Sequence, residues 1–169
     1  MKPPTLSQFR KLVGIGNYQF GKRVGTILFD RNVRITCSKR TKRIRHVFKD
    51  GKMIATLRPK DGCFALTPYG AKILLSKLKD PPNLVIVQTD VADFIKTGGD
   101  VFAKHVLRAA ESLRPAEEAI VIDEGDQLLA VGRAVLSGND MRYFKRGVAV
   151  KVRKGVQESS KRAQGALAY

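Results

Sequence analysis

The chain has 169 residues, 43% of them hydrophobic, and its 32 Lys and Arg against 15 Asp and Glu leave a net charge of +17. That length holds one ordinary domain or two small ones, and the apolar fraction is enough for a core, which excludes wholesale disorder. Charge this far from neutral selects polyanionic partners, nucleic acid ahead of an anionic membrane surface.

No apolar run approaches the ~20 residues of a membrane span. The start, Met1-Lys2-Pro3-Pro4-Thr5, lacks the apolar region of a secretory signal, so no membrane partner and a cytoplasmic location are expected. The positive charge is uneven. Residues 1–79 hold 19 Lys and Arg against 3 Asp and Glu, whereas residues 80–155 hold 11 against 11. Such asymmetry between halves marks a domain boundary. Cys37, Cys63, His46 and His105 match no zinc-ligand spacing, so two reduced thiols, no metal and no cofactor are expected.

In chain order, Pro3-Pro4-Thr5 opens a helix with Leu6, Phe9, Leu12 and Val13 at helical spacing, ended by Gly14 and Gly16. Residues 18–29 read as a second helix, although Gly21 and Gly25 each weaken it by about 1 kcal/mol relative to Ala. From Asn32 the period becomes two. Val33 and Ile35, residues 44–48 and residues 53–57 form an antiparallel meander, with Asp50-Gly51 as a tight turn and residues 64–66 extending it. Thr67 caps a helix with Pro68 at its first position. Asp80-Pro81-Pro82-Asn83 breaks the chain.

Beyond the break, short apolar runs are cut by Gly and Asp every few residues, the pattern of a compact β module. Strands are expected at 84–88, 105–110, 119–122, 128–136 and 148–152. Thr89 or Asp90 caps a short helix ending near Lys96, Gly98-Gly99 turns, and Gly125-Asp126 marks a hairpin. Ser137-Gly138-Asn139-Asp140 caps one helical turn, residues 141–144. Residues 156–169, small and polar, read as a flexible tail.

Four features bear on chemistry. Lys39, Arg40, Lys42 and Arg43 crowd the turn between two strands, and Arg34 and Arg45 continue the cluster. It either neutralises phosphates, with steep salt dependence, or is a solvated turn. Gly98-Gly99-Asp100, with Lys96 and Lys104 beside it, is either a tight turn or a place where backbone N–H groups meet an RNA sugar-phosphate. Lys145-Arg146, and Lys151 and Arg153 on one face of the last strand, are further basic pairs. Gly16-Asn17-Tyr18-Gln19-Phe20-Gly21-Lys22 imitates a phosphate loop. Arg23 stands where Ser or Thr must ligate magnesium, however, and an amphipathic segment precedes it instead of a buried strand. No catalytic constellation stands out. Aromatics are 7% with no Trp, so shape and phosphate contacts are expected to outweigh base stacking.

Residues 84–155 resemble a PUA domain, an RNA-binding module. The likeness is carried by Gly98-Gly99-Asp100-Val101-Phe102, Glu118-Ala119-Ile120-Val121-Ile122-Asp123, Leu129-Ala130-Val131-Gly132-Arg133-Ala134 and Arg146-Gly147-Val148-Ala149-Val150. Tyr18-Gln19-Phe20-Gly21-Lys22, Asn32-Val33-Arg34-Ile35, Arg43-Ile44-Arg45 and Asp61-Gly62-Cys63-Phe64-Ala65-Leu66-Thr67 resemble the domain preceding PUA in archaeal tRNA-guanine transglycosylases. The resemblance implies an α+β chain: a small basic α/β pre-PUA domain over residues 1–79, then a PUA β pseudo-barrel over 84–155. It implies docking of structured RNA, tRNA or rRNA, through residues 98–104 and neighbouring strands. It also implies a non-catalytic role that supports RNA modification or ribosome assembly, with a separately encoded enzyme as partner, since no catalytic barrel fits. The alternative is an RNA-modifying enzyme with an unidentified active site, for which Asp61, Cys63 and Asp123 are the weak candidates.

Overall fold

The computed structural model describes residues 1–157. The tail expected over 156–169 therefore lies, beyond Gln157, outside the described residues. The chain divides after Pro82 into two compact units.

The first unit opens with α1 (Leu6–Phe20). Thr5 and Gln8 form a capping box: Thr5 Oγ1 accepts from the Gln8 amide at 3.3 Å, and Gln8 Oε1 accepts from the Thr5 amide at 2.9 Å. The expected end at Gly14 and Gly16 is corrected, because the helix runs through both to Gly21 (φ +101). The reason is a close backbone approach. A Cβ on Gly16 would lie 2.7 Å from Gly25 Cα, and one on Gly25 would lie 2.2 Å from Val13 O. The helix penalty of these glycines is offset by contact with α2 (Val24–Leu28), which Asn17 reinforces by accepting from the Gly25 amide at 2.9 Å. The second helix is thus five residues long and not the expected 18–29. The phosphate-loop imitation is helix interior up to Phe20.

Four antiparallel strands follow in sequential order: β1 (Arg34–Cys37), β2 (Ile44–Lys49), β3 (Lys52–Leu57) and β4 (Phe64–Leu66). Asp50 and Gly51 join β2 to β3 with φ +50 and +74, the two positive values a type I′ hairpin demands. Gln19 on α1 pins β4: its Nε2 donates to Phe64 O at 2.7 Å and its Oε1 accepts from Phe64 N at 2.6 Å. Leu12, Phe20, Leu28, Phe29, Ile35, Val47, Ile54, Phe64 and Leu74 are fully buried between helices and sheet. α3 (Pro68–Lys77), capped by Thr67, is seated on β3 so closely that a Cβ on Gly70 would lie 2.1 Å from Ile54 O.

The second unit contains β5 (Leu84–Val87), α4 (Ala92–Lys96), β6 (Val101–Phe102), β7 (Val106–Ala109), β8 (Glu118–Asp123), β9 (Leu128–Ala134), α5 (Gly138–Tyr143) and β10 (Val148–Gly155). They form one six-stranded, nearly closed sheet in the order β6-β10-β9-β8-β5-β7. β5 and β8 pair in parallel, which needs the long crossover that α4, β6 and β7 supply. Val85, Ile95, Val121, Leu129, Met141 and Val150 meet in its core. Several boundaries differ from expectation. The two-residue β6 had no apolar alternation to announce it. His105 belongs to a 3-10 turn (Ala103–His105), so β7 starts at Val106. β9 ends at Ala134, and β10 runs on to Gly155 past a bulge at residues 152–154. Thr89 opens a 3-10 turn (Thr89–Val91), and its amide and hydroxyl both donate to Glu124 Oε2 at 3.1 Å; it does not cap α4. Ser137 does cap α5, accepting from the Asp140 amide at 3.1 Å.

Candidate nucleic-acid interface

In the first unit the turn between β1 and β2 is shaped by its own backbone. Ser38 N donates to Arg43 O at 2.8 Å, Lys42 N donates to Ser38 O at 2.9 Å, and Lys42 takes φ +56. Lys39, Arg40, Lys42 and Arg43 project from it, exposed, as do Arg34 and Arg45 on the adjoining strands. The three carboxylates of residues 1–79 are engaged elsewhere. Asp30 pairs with Lys49 at 2.6 Å, Asp61 pairs with Arg58 at 3.0 Å, and Asp50 accepts from the Tyr69 hydroxyl at 3.4 Å. The hydrogen bond from Lys49 holds the Asp30 carboxyl below the usual carboxylate range. Nothing acidic within residues 1–79 therefore offsets the turn. Arg40, Arg43 and Arg45 open onto a cleft of about 580 Å³, joined by Lys11 from α1 and by Arg58. Arg34, Lys39 and Lys42 lie outside its lining.

His46, on β2 beside this cluster, shares a 2.8 Å hydrogen bond between its Nδ1 and Thr36 Oγ1. Burial, and then the Arg45 charge, push its pKa below the ordinary imidazole value. The fold thus favours neutral His46. Its contribution is complete above the unfolded value of about 6.5 and is lost as pH falls through the lower folded value. Acidifying from pH 7 to pH 5 will lower the melting temperature of the first unit, and His46→Gln will reduce that drop. An identical drop in the variant would remove His46 as its source.

In the second unit the Gly98-Gly99 turn is a helix C-cap. Gly99 N donates to Phe94 O and Gly98 N donates to Ile95 O, both at 3.0 Å, with Gly98 at φ +103. This Schellman arrangement closes α4. It corrects the expectation that these amides are open to a phosphate, because both are already spent. Gly99 also faces Phe94, since a Cβ there would fall 2.3–2.5 Å from three atoms of that ring. Gly155 on β10 seats the same turn: a Cβ there would lie 2.1 Å from Lys96 O. The Asp100 carboxylate, expected at an RNA contact, accepts from Val152 N at 2.9 Å and from Lys151 Nζ at 2.7 Å, tying the turn to β10. Lys96 is largely covered and lies 3.8 Å from Asp93. Arg153 makes a two-pronged pair with Glu118, whose carboxylate is fully buried.

Lys104, Lys145 and Arg146 are exposed. Lys104 borders a cavity of about 310 Å³ between α4 and β6, with Val91, Phe94, Phe102 and His105. His105 is oriented there by a 2.8 Å hydrogen bond between its Nδ1 and Gln88 Oε1. Ala103 N donates to Gly147 O at 3.0 Å and Phe102 pairs with Val148, so residues 144–147 run up to this edge. Phe94, Phe102, Tyr143 and Phe144 are 57%, 40%, 79% and 52% exposed. Aromatic faces thus stand beside the basic residues, and the low aromatic content understated stacking. Asp61 and Asp123 are occupied in turns: Asp61 accepts from Cys63 N at 3.0 Å, and Asp123 accepts from Gly125 N and Gln127 N, both at 2.9 Å. Among the described residues no group of three His, Cys, Asp or Glu is placed to hold a metal, and no helix is long and apolar enough to cross a membrane.

Residues 10–81 match the patch-forming domain C2 of tRNA-guanine transglycosylase, and residues 83–156 match the PUA domain. The chain is 42% identical over 152 residues to the tRNA-guanine(15) transglycosylase of Thermoplasma acidophilum, covering 89% of this chain and 24% of that protein. It is 40% identical over 157 residues to the enzyme of the same name from Pyrococcus furiosus, covering 93% and 26%. It therefore spans about a quarter of the length of the curated relatives it matches. A hypothetical protein from Pyrococcus horikoshii has the same fold, with TM-score 0.76 at 20% identity over 95% of this chain and 97% of that one.

Proposed function

Residues 10–81 belong to the patch-forming domain C2 family of tRNA-guanine transglycosylase and residues 83–156 to the PUA family, and on that premise we propose that the chain binds structured RNA, tRNA ahead of rRNA, without catalysing a reaction itself. The observation that carries this reading is the pairing of an uncompensated basic turn on domain C2 with an aromatic and basic edge on the PUA domain. The turn captures any RNA through its phosphates. The edge, with Phe94, Phe102, Lys104, Lys145 and Arg146, supplies stacking faces and cations that discriminate shape. In the cytosol the chain delivers RNA to a separately encoded modification enzyme. Lys151 and Arg153 contribute there as residual positive potential, since each already has a carboxylate partner.

Gly99→Leu tests the edge. The new side chain will displace the Phe94 ring from the cavity, at small cost in stability because that ring is half exposed. Binding of folded tRNA will fall by about tenfold, the scale of one stacking contact, while a single-stranded oligonucleotide of equal length will lose much less. Equal losses would mean the edge is no docking surface. Incubating tRNA with the purified chain and labelled guanine will leave the tRNA unlabelled, and incorporation would overturn the non-catalytic role.

A further inference from the structure

The cleft on domain C2 differs from the exposed turn above it. We propose that it is a nucleotide pocket, taking one unstacked nucleotide of RNA with its phosphate among the guanidinium groups and its base on an apolar floor; this rests on the reading of the chain as an RNA binder. Size is the first argument. About 580 Å³ lies in the range of small-ligand sites and is far more than a lone oxyanion fills.

Chemistry is the second argument. The mouth carries Lys11, Arg40, Arg43 and Arg45, none of which forms an ion pair among the described residues. Arg58 stands beside them, with Nε 3.1 Å from Asp61 Oδ1 and its terminal nitrogen 3.0 Å from Oδ2, so its fork is held in place before any ligand arrives. Guanidinium forks suit phosphate oxygens and also stack on planar rings. Ile15, Ile44, Leu57 and Pro59 add apolar lining; Ile44 and Leu57, only 7% and 8% exposed, form its covered floor, and Pro59 is exposed beside them. A site meant for phosphate alone has no use for such a floor, whereas a base does. Ser38, whose hydroxyl oxygen accepts from Thr41 N at 3.3 Å, keeps its proton to donate to a base edge or ribose.

Shape is the third argument. A regular duplex presents phosphates on a convex surface and would meet the outward Lys39 and Lys42. To reach Arg43 and Arg45 together with the floor, a nucleotide must leave the stack.

The test titrates the intact chain with the four nucleoside 5′-monophosphates, the four nucleosides and inorganic phosphate, followed by amide NMR shifts. At least one monophosphate will bind more tightly than its nucleoside or phosphate, with shifts confined to the turn between β1 and β2, the start of β2, α1 around Lys11 and Ile15, and residues 57–62. Arg43→Gln/Arg45→Gln will weaken that binding by about tenfold or more, the loss expected for charge-assisted hydrogen bonds. Lys39→Gln/Lys42→Gln removes the same charge outside the cleft and will change it by less than about twofold. Retained amide spectra of both variants will show that folding is intact. A duplex with one bulged nucleotide will outcompete the same duplex without it, and a 5′-phosphorylated end that outcompetes the bulge would place the ligand at an RNA terminus. Equal binding of monophosphate and phosphate, or equal losses in the two variants, would overturn the pocket and leave a diffuse field. If tRNA still binds in that case, the RNA-binding reading stands without the pocket; nucleotide binding in the cleft of a chain that ignores tRNA would support the pocket and sink that reading.

Discussion

Exchanging Arg40, Lys42 and Arg43 together for glutamine will weaken binding to every RNA and flatten the dependence of log K on log salt by about two to three units. Each phosphate neutralised by a protein cation releases condensed counterions, which contributes about 0.7 to 0.9 to that slope. The three side chains are exposed, and the carboxylates of residues 1–79 are held by Lys49, Arg58 and Tyr69. No carboxylate of residues 1–79 therefore neutralises their charge. Filter binding of tRNA and of a single strand between 50 and 200 mM salt, in both proteins, reads the effect. An unchanged slope would show that the turn is only solvated. The change in salt slope will be alike for folded tRNA and the single strand, in contrast to the selective loss with Gly99→Leu, because counterion release reads phosphates and not shape.

Arg153→Ala will destabilise the second unit by about 3 kcal/mol or more, whereas Lys151→Ala will cost less than about 1 kcal/mol. Both cations stand on β10 and both pair with a carboxylate, but the surroundings differ. Glu118 is fully buried, so removing the guanidinium takes away the cation that offsets its charge in the barrel interior. Asp100 is 21% exposed, keeps the amide of Val152, and faces a lysine that is 69% exposed. Urea unfolding of the two variants measures the difference. Adding Glu118→Gln to Arg153→Ala removes the buried charge and will restore part of the loss. Equal small losses in the two single variants, or no recovery in the double variant, would sink the assignment. RNA affinity lost by Arg153→Ala therefore reports unfolding first, and contact with RNA only in whatever fraction stays folded.

Local signals in the chain reached most of the elements. Alternation at Val33 and Ile35 marked β1, Asp50-Gly51 its type I′ neighbour, and Thr67-Pro68 the entry to α3; each of these depends on residues within one turn or one hairpin. Glycine was where local reading failed. Gly16 reads as a helix end because its propensity is poor, yet it lies inside α1 since Gly25, nine positions on, needs its missing Cβ. Gly98 and Gly99 read as open amides, yet they cap α4. A glycine's role depends on which backbone approaches it, and that partner can be distant in sequence.

Composition by itself determined that the first half carries the excess of positive charge, because charge counts need no coordinates. The β character of the second half and the likeness to domain C2 and PUA also came from residues alone. Tertiary structure decided which charges are available. It paired Asp100 with Lys151 across 51 positions and Glu118 with Arg153 across 35, and it gathered Lys11, Arg45 and Arg58 from three separate segments around one cleft. It also turned Phe94 and Phe102 outward. Pairing, concavity and exposure are properties of packing between segments far apart in sequence, so no period or spacing along the chain carries them.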